Sequence, residues 1–434
     1  MNAPTIAQTY AEPGLVAKVA GAVRSEIALA RLAIGLVALH VVDDNFLQPN
    51  PGTSAGNHLA SGLVPLAILA VAAVLYPRFR AGVRASLAGS LGAIGITFGV
   101  PGAYYLLDGA ASGDHYTGLL SIVAGAVLLL SAPVTLWKAR RSGGSRRRRY
   151  LRRALEIAPA LVLLLFVVVP VGYSYLYTHT GRTATTPDLR VPYESVTVTT
   201  SDSLKLAASY VPSKNRAAVI LFPGATRSDE ARMLVRHGYG VLLLDPRGQG
   251  NSEGDTIRWA GDDDLLGAAV YLRGRTDVDP DRIGGFGFSI GGEILLEAAA
   301  RSTALKAVVS EGAGIRVGEG LDKRDNVTGP ERLLYKPIST VMTAATTVFS
   351  NHGPPPPIAD RIGRIAPRSV FLIYADPGMG GESTRQAVYY AGARQPKAIW
   401  KVPGAEHTAG IDAQPAEYER RVIAFFDRAL LGAK

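Results

Sequence analysis

The chain has 434 residues, 47% apolar and 19% charged, with 46 Lys and Arg against 36 Asp and Glu and no cysteine. That balance excludes a disordered chain, and the missing thiols exclude a disulfide framework, a thiolate metal site and a cysteine nucleophile. A mean hydropathy of +0.15 is high for a soluble enzyme and points to membrane segments.

The first apolar run, 27–42, is short and is interrupted by Arg31, whose long stem can carry its charge to the near interface. It is predicted to span. Asp43, Asp44 and Asn45 follow it in place of a small-residue cleavage site, so it is not a cleavable signal peptide. These three polar residues read as an interfacial cap or as a docking contact for an outer domain. Four longer runs, 58–76, 85–107, 117–137 and 155–177, each come near the ~20 residues a helix needs to cross ~30 Å of hydrocarbon. The expectation is therefore about five spans. Gly89, Gly92, Gly95 and Gly99 give the third a stripe of small residues for close helix contact. No series of ionisable residues threads the runs, which argues against a transporter.

The net charge of +10 is concentrated in the short links between these runs. Arg78, Arg80 and Arg84 lie in one link, and nine Lys and Arg between Lys138 and Arg153 lie in another. The links 43–57 and 108–116 hold no Lys or Arg. Basic links stay cytoplasmic, so the N-terminus is expected in the cytoplasm and everything after Thr178 on the outer face of the plasma membrane. This pattern reads as topogenic charge, and no nucleic-acid partner is expected.

Beyond residue 191 the pattern changes to short β-branched runs alternating with amphipathic stretches, the signature of an α/β sheet. Strands are predicted at 195–200, 205–211, 217–222, 240–244, 283–287, 307–310, 370–374 and 398–402. Helices are predicted at 229–237, 262–273, 290–301, 383–393 and 416–431. The domains expected are 1–178 for the membrane part, 179–194 for a linker and 195–434 for the α/β part.

Gly287-Phe288-Ser289-Ile290-Gly291 stands where a predicted strand gives way to a predicted helix. A nucleophile on so sharp a turn needs close glycine neighbours, and the helix start offers its dipole and the Ile290 N–H to an oxyanion. A second oxyanion donor is expected in Pro223-Gly224-Ala225-Thr226, from Ala225 or from Thr226. His407 lies in a loop between the last strand and the last helix, which makes it the candidate base; His237 and His352 lie in the wrong places. Asp245 and Arg247 read as structural braces, and the adjacent Asp262, Asp263 and Asp264 as a solvated helix start.

On Asp-Pro-Arg-Gly-x-Gly-x-Ser at 245–252, Asp-Pro-Asp-Arg-Ile-Gly ahead of Gly-Phe-Ser-Ile-Gly, and Pro-Gly-Ala-Glu-His at 403–407, the sequence resembles the α/β-hydrolase superfamily. The likeness is to its dienelactone-hydrolase and serine-peptidase-like branch and covers about 195–431. The membrane part is similar to that of bacterial membrane-anchored hydrolases. The resemblance implies an eight-stranded, mostly parallel sheet, with Ser289 as nucleophile and His407 as base. The family's acid usually stands a few residues past the seventh strand. Here Asp376 and Glu382 flank that place across a glycine-rich turn, with Glu382 preferred. The oxyanion loop departs from the family's His-Gly, having Pro223-Gly224.

About 57 residues between Glu311 and Pro367 replace a simple crossover, and a helical lid is expected at about 312–367. The functional expectation is a serine hydrolase that cleaves an ester, thioester or amide. The alternatives are an acyltransferase using the same acyl-enzyme and a silent binding module. The expected partners are a small-molecule or lipid-like acyl substrate and the lipid bilayer. No metal or organic cofactor is required.

Overall fold

The structure is a computed structural model that describes residues 25–107, 113–139, 146–180, 186–224, 226–257, 259–314, 329–379 and 382–433. Its described residues fall into two compact units, one of residues up to Gln48 with Gly62–Val168, the other of Pro49–Ser61 with Val169–Lys434.

In the first unit, helix α1 spans Glu26–Val42, α2 Leu59–Leu75, α3 Ala81–Leu107, α4 His115–Lys138 and α5 Arg146–Leu163. Among the described residues, four stretches are long and apolar enough to cross a membrane: Ala55–Arg78, Ala81–Leu107, His115–Lys138 and Ile157–His179. Helix α1, with 17 residues, reaches about 26 Å at 1.5 Å per residue and falls short of that set. The glycine stripe of α3 does pack on a neighbour. A Cβ on Gly99 would lie 2.2 Å from Gly118 O, one on Gly92 2.7 Å from Gly125 O, and one on Gly125 2.6 Å from Gly92 O. The bare backbones of α3 and α4 therefore touch, and Ser121 Oγ donates to Gly95 O at 2.8 Å.

A buried polar node that sequence reading passed over joins α1, α3 and α4. His40 lies 3.0 Å from Phe98 O through Nε2 and 3.1 Å from Thr117 Oγ1 through Nδ1. Thr117 donates to Asp43 at 2.7 Å, and Gln48 donates to the same carboxylate at 2.9 Å. These bonds bind Asp43 into its own helix bundle.

The α5 helix passes through a π-helical turn at Leu164–Val168 into α6, Val169–His179. Pro170 sits just past that turn and has no N–H to offer the preceding carbonyls, the usual cause of such an irregularity.

The second unit is built on an eight-stranded sheet: β1 Glu194–Thr199, β2 Lys205–Val211, β3 Ala218–Phe222, β4 Gly240–Leu244, β5 Ile283–Phe288, β6 Ala307–Glu311, β7 Ser369–Pro377 and β8 Lys397–Ala405. Its strand order is β1-β2-β4-β3-β5-β6-β7-β8, with β2 antiparallel to both neighbours and the other pairs parallel. The predicted strands are all present, their ends moved by a few residues at most. Central strands β3, β4, β5 and β6 are buried along their whole length, which is why they read as unbroken apolar runs.

Besides α6 and a short turn of helix at Gly410–Ala413, the helices of this unit are α7 Ser228–Arg236, α8 Asp262–Arg273, α9 Ile290–Arg301, α10 Glu331–Ser350, α11 Glu382–Gly392 and α12 Pro415–Phe426. Alternate strand residues feed two cores. Ala218, Ile220 and Leu242 pack with α8, α9 and α11, while Val219, Leu221 and Val241 pack with α7 and α12. Helix α10 lies in the 312–367 insertion, of which 315–328 fall outside the described residues.

The loop Pro49–Ser61, between two apolar helices in sequence, belongs to this second unit. Asn50 Nδ2 donates to Asp255 at 2.6 Å, the Gly254 N–H donates to Pro51 O at 2.8 Å, and Asn351 Nδ2 reaches Ser61 Oγ at 3.2 Å. The segment 49–61 is thus bonded to the sheet domain.

Replacing Gly99 by Leu forces α3 from α4 and is expected to cost about 1–3 kcal/mol. Gly89→Leu is the control, because a Cβ there meets nothing within 4 Å. Thermal unfolding in detergent should show a lower Tm for Gly99→Leu and an unchanged one for Gly89→Leu.

Candidate active site

Ser289 stands between β5 and α9 with φ +52°, a backbone that L-residues rarely adopt. Two glycines permit the turn. A Cβ on Gly287 would lie 2.5 Å from Gly291 O, and one on Gly291 would lie 2.3 Å from Phe222 O. The turn is pinned by the Ser289 N–H, which donates to Glu311 O at 2.8 Å, and by the Ser289 carbonyl, which accepts from Gly292 at 2.9 Å and Glu293 at 3.2 Å.

From this turn Ser289 Oγ lies 2.8 Å from His407 Nε2. On the other side of the ring, His407 Nδ1 lies 2.8 Å from Glu382 Oε2. Of the two carboxylates the sequence left open, Glu382 is the one that reaches the imidazole. Asp376 is turned away, its half-exposed carboxylate paired with Lys401 at 2.7 Å. Glu382 opens α11 and is 4% exposed. Its carboxylate also accepts the Ala375 N–H at 2.9 Å and the Met379 N–H at 3.2 Å. Burial pushes this carboxyl up, but His407 and the two backbone donors outweigh it and hold it below its usual range.

The Ile290 N–H belongs to the first turn of α9, whose amide hydrogens have no carbonyl within the helix to bond. For the second oxyanion donor, the Gly224 N–H is committed to Leu244 O at 2.8 Å. That leaves the following residues, of which Ala225 lies outside the described set and Thr226 is exposed.

A further layer of charge behind the site went unseen in the sequence. Glu311, 1% exposed at the end of β6, accepts hydrogen bonds from the Tyr418 hydroxyl and from the Gly410 N–H at 3.0 Å. Burial pushes its carboxyl up, against those donors. Arg227 donates to Thr408 O at 3.2 Å and to Thr408 Oγ1 at 3.1 Å, lies 4.1 Å over the Phe288 ring, and pairs with Glu230 at 3.5 Å. Thr408 itself has φ +56°. The His407 loop is therefore gripped on both sides, by Arg227 at residue 408 and by Glu311 at residue 410. A carboxylate ending the otherwise apolar strand Ala-Val-Val-Ser-Glu was the one available signal.

The other charged candidates lie elsewhere. Arg247 braces its loop as expected, reaching Asp264 and Asp202 at 2.7 and 2.8 Å. Asp264 is fully buried by that pairing, so the run 262–264 is not wholly solvated as the sequence implied. His237 pairs with Glu419 at 2.8 Å, and His352 sits 2.8 Å from Ser350 O. Among the described residues no group of three His, Asp or Glu is placed to hold a metal ion.

Residues 176–347, less than half of the chain, match the X-Pro dipeptidyl-peptidase (S15) family. The second half of the chain is an α/β domain on an eight-stranded, mostly parallel sheet, and part of it is similar to that family. Acyltransferase drtE of Aspergillus calidoustus is 33% identical over 132 residues, 28% of this chain and 43% of that protein. The chain thus spans less than half the length of that relative. YfhR of Salmonella typhimurium, an uncharacterized protein, is 24% identical over 56% of this chain and 83% of its own length. Among solved structures, α/β hydrolase GrgF from Penicillium is 20% identical over 56% of this chain and 100% of its own, with a TM-score of 0.46. Esterase Pf2001 from Pyrococcus furiosus is 21% identical over 57% and 99%, with a TM-score of 0.45.

Next to Arg227, burial pushes the Glu230 carboxyl up to about 7, with Arg227 pulling the other way. Its ordinary value is 4.5, so between that pH and about 7 only the folded chain keeps the proton. The folded state therefore loses stability as pH rises through this window. Glu230→Gln removes that loss. Its Tm, compared with wild type, should gain on going from pH 4.5 to pH 8 by the equivalent of about 3 kcal/mol.

Proposed function

We propose that the chain is a membrane-anchored serine hydrolase that cleaves an ester, thioester or amide through an acyl-enzyme on Ser289. The observation that carries this reading is the line Ser289 Oγ, His407, Glu382, closed by two contacts of 2.8 Å. His407 Nε2 takes the Ser289 proton as Oγ attacks the carbonyl carbon, and Glu382 holds the imidazole and steadies the imidazolium that forms. The charge on the carbonyl oxygen is met by the Ile290 N–H, at the positive end of α9, and by an N–H from the 225–226 stretch. A donor of this kind contributes about 2.7–4 kcal/mol to such transition states. His407 then gives its proton to the leaving group. Water, activated by the same imidazole, releases the acid.

The acyltransferase reading keeps every step but the last and puts another nucleophile in place of water. The name of drtE fits that alternative, and the esterase name of Pf2001 fits hydrolysis. The product settles it: a free acid or a transferred acyl group.

Five spans remain the proposed membrane arrangement, with α1 carried on through the π-helical turn Asp43–Leu47 to complete a crossing. The basic links then lie in the cytoplasm and the hydrolase domain outside the plasma membrane. The inclusion of Pro49–Ser61 in the hydrolase unit supports a common side for that loop and the site. The insertion at 312–367 is proposed as a lid.

A fluorophosphonate should label wild-type membranes and leave Ser289→Ala unlabelled. Glu382→Ala should slow labelling by about 10²–10⁴-fold, whereas Asp376→Ala should match wild type. Labelling that survives in Ser289→Ala would overturn the assignment of the nucleophile.

A further inference from the structure

Helix α10 has two unlike halves. Its later turns are packed: Ala345, Thr346, Phe349 and Ser350 are all buried. Its first two turns leave Leu333, Leu334 and Tyr335 exposed at 77%, 51% and 39%. Arg332 and Lys336 flank these side chains and are exposed as well.

The partner of the packed half fixes where the bare half lies. Ser174 Oγ of α6 donates to Met342 O at 3.1 Å, and the Tyr175 ring meets Phe349 edge-on at 5.3 Å. The His179 ring also meets Phe349. Residue numbers rise together along the two helices in these contacts, so α10 runs parallel to α6. Helix α6 is the C-terminal part of the apolar stretch Ile157–His179, which is long enough to cross a membrane. Leu334 precedes Met342 by eight residues, about 12 Å of helix. The exposed residues are thereby carried away from His179, toward the N-terminal end of α6.

We propose that the first two turns of α10 are inserted into the leaflet next to the hydrolase domain and that the substrate of Ser289 is an acyl lipid held in that leaflet. Leu333 and Leu334 enter the acyl region, Tyr335 stays at headgroup level, and Arg332 and Lys336 extend toward the phosphates. Tyr173, on the helix that α10 packs against, is bare as well. The insertion that carries α10 leaves the sheet at Glu311, whose carbonyl holds the Ser289 turn. One end of the membrane-bound segment is thus joined to the site. The inference rests on Ile157–His179 being a span, and its substrate part rests on Ser289 being the nucleophile.

The absence of native cysteine makes the test direct. The full-length protein carrying Leu334→Cys, labelled with a thiol fluorophore and placed in phosphatidylcholine and phosphatidylglycerol vesicles, should be quenched by doxyl-labelled lipid. Lys214→Cys, exposed on the sheet domain, should not be. Equal quenching of the two, or a fluorophore at position 334 shielded by a second copy of the chain and not by lipid, overturns insertion. For the substrate, Leu333→Asp with Leu334→Asp should lower hydrolysis of a long-chain ester dissolved in the vesicles by about tenfold or more. The same variant should cleave a short water-soluble ester at the wild-type rate. Equal loss on both esters, or none on the long one, overturns the lipid substrate. The quenching arm needs no catalysis, so a chain that is quenched but takes no fluorophosphonate keeps the insertion and loses the hydrolase reading.

Discussion

A serine held at φ +52° is the constraint around which the second half of the molecule is arranged. Such a backbone costs an L-residue roughly 1–2 kcal/mol and persists only where the surroundings over-determine it. Here they do so from three directions: glycines at 287 and 291 that let backbone atoms close in, the α9 amides that bond to the Ser289 carbonyl, and the Glu311 carbonyl that takes the Ser289 N–H. The strain lifts Oγ off the end of the sheet and points it at His407.

Glu311 links the two halves of the site. Its backbone holds the serine turn, and its buried carboxylate holds the loop that carries His407, through Gly410 and Tyr418. A Cβ on the next residue, Gly312, would lie 2.8 Å from the imidazole, so the β6 strand end also sets how closely the ring can be approached. The two carboxylates near His407 are held in opposite ways. Glu382 has three donors and is kept below its usual pKa, whereas Glu311, deeper and with fewer compensations, is pushed up.

Much of this was legible in the sequence because it is local. The buried strands announced themselves as apolar runs, and the Gly-x-Ser-x-Gly turn carries its own backbone requirements within five residues. The carboxylate that meets His407 was legible only as a choice, since which of Asp376 and Glu382 reaches the ring depends on tertiary placement that the letters do not encode. The Glu311–Tyr418 contact joins residues 107 apart, and Asn50–Asp255 joins residues 205 apart. Neither leaves a periodic trace. The α3 glycine stripe lies between these cases: its spacing marked a close contact, and the helix it meets had to come from the structure. The His40–Thr117–Asp43 node was invisible for the same reason, being assembled from three helices.

A covalent acyl group at Ser289 is the species on which the proposed mechanism depends. Purified full-length protein in vesicles, mixed with p-nitrophenyl acetate and stopped early, can be followed by nitrophenol release and by peptide mass. The expected result is a burst equivalent to one nitrophenol per site, with a single acetyl group on the peptide that holds Ser289 and none in Ser289→Ala. Turnover without any acetylated peptide, or an acetyl group on a different residue at the same yield, would contradict it.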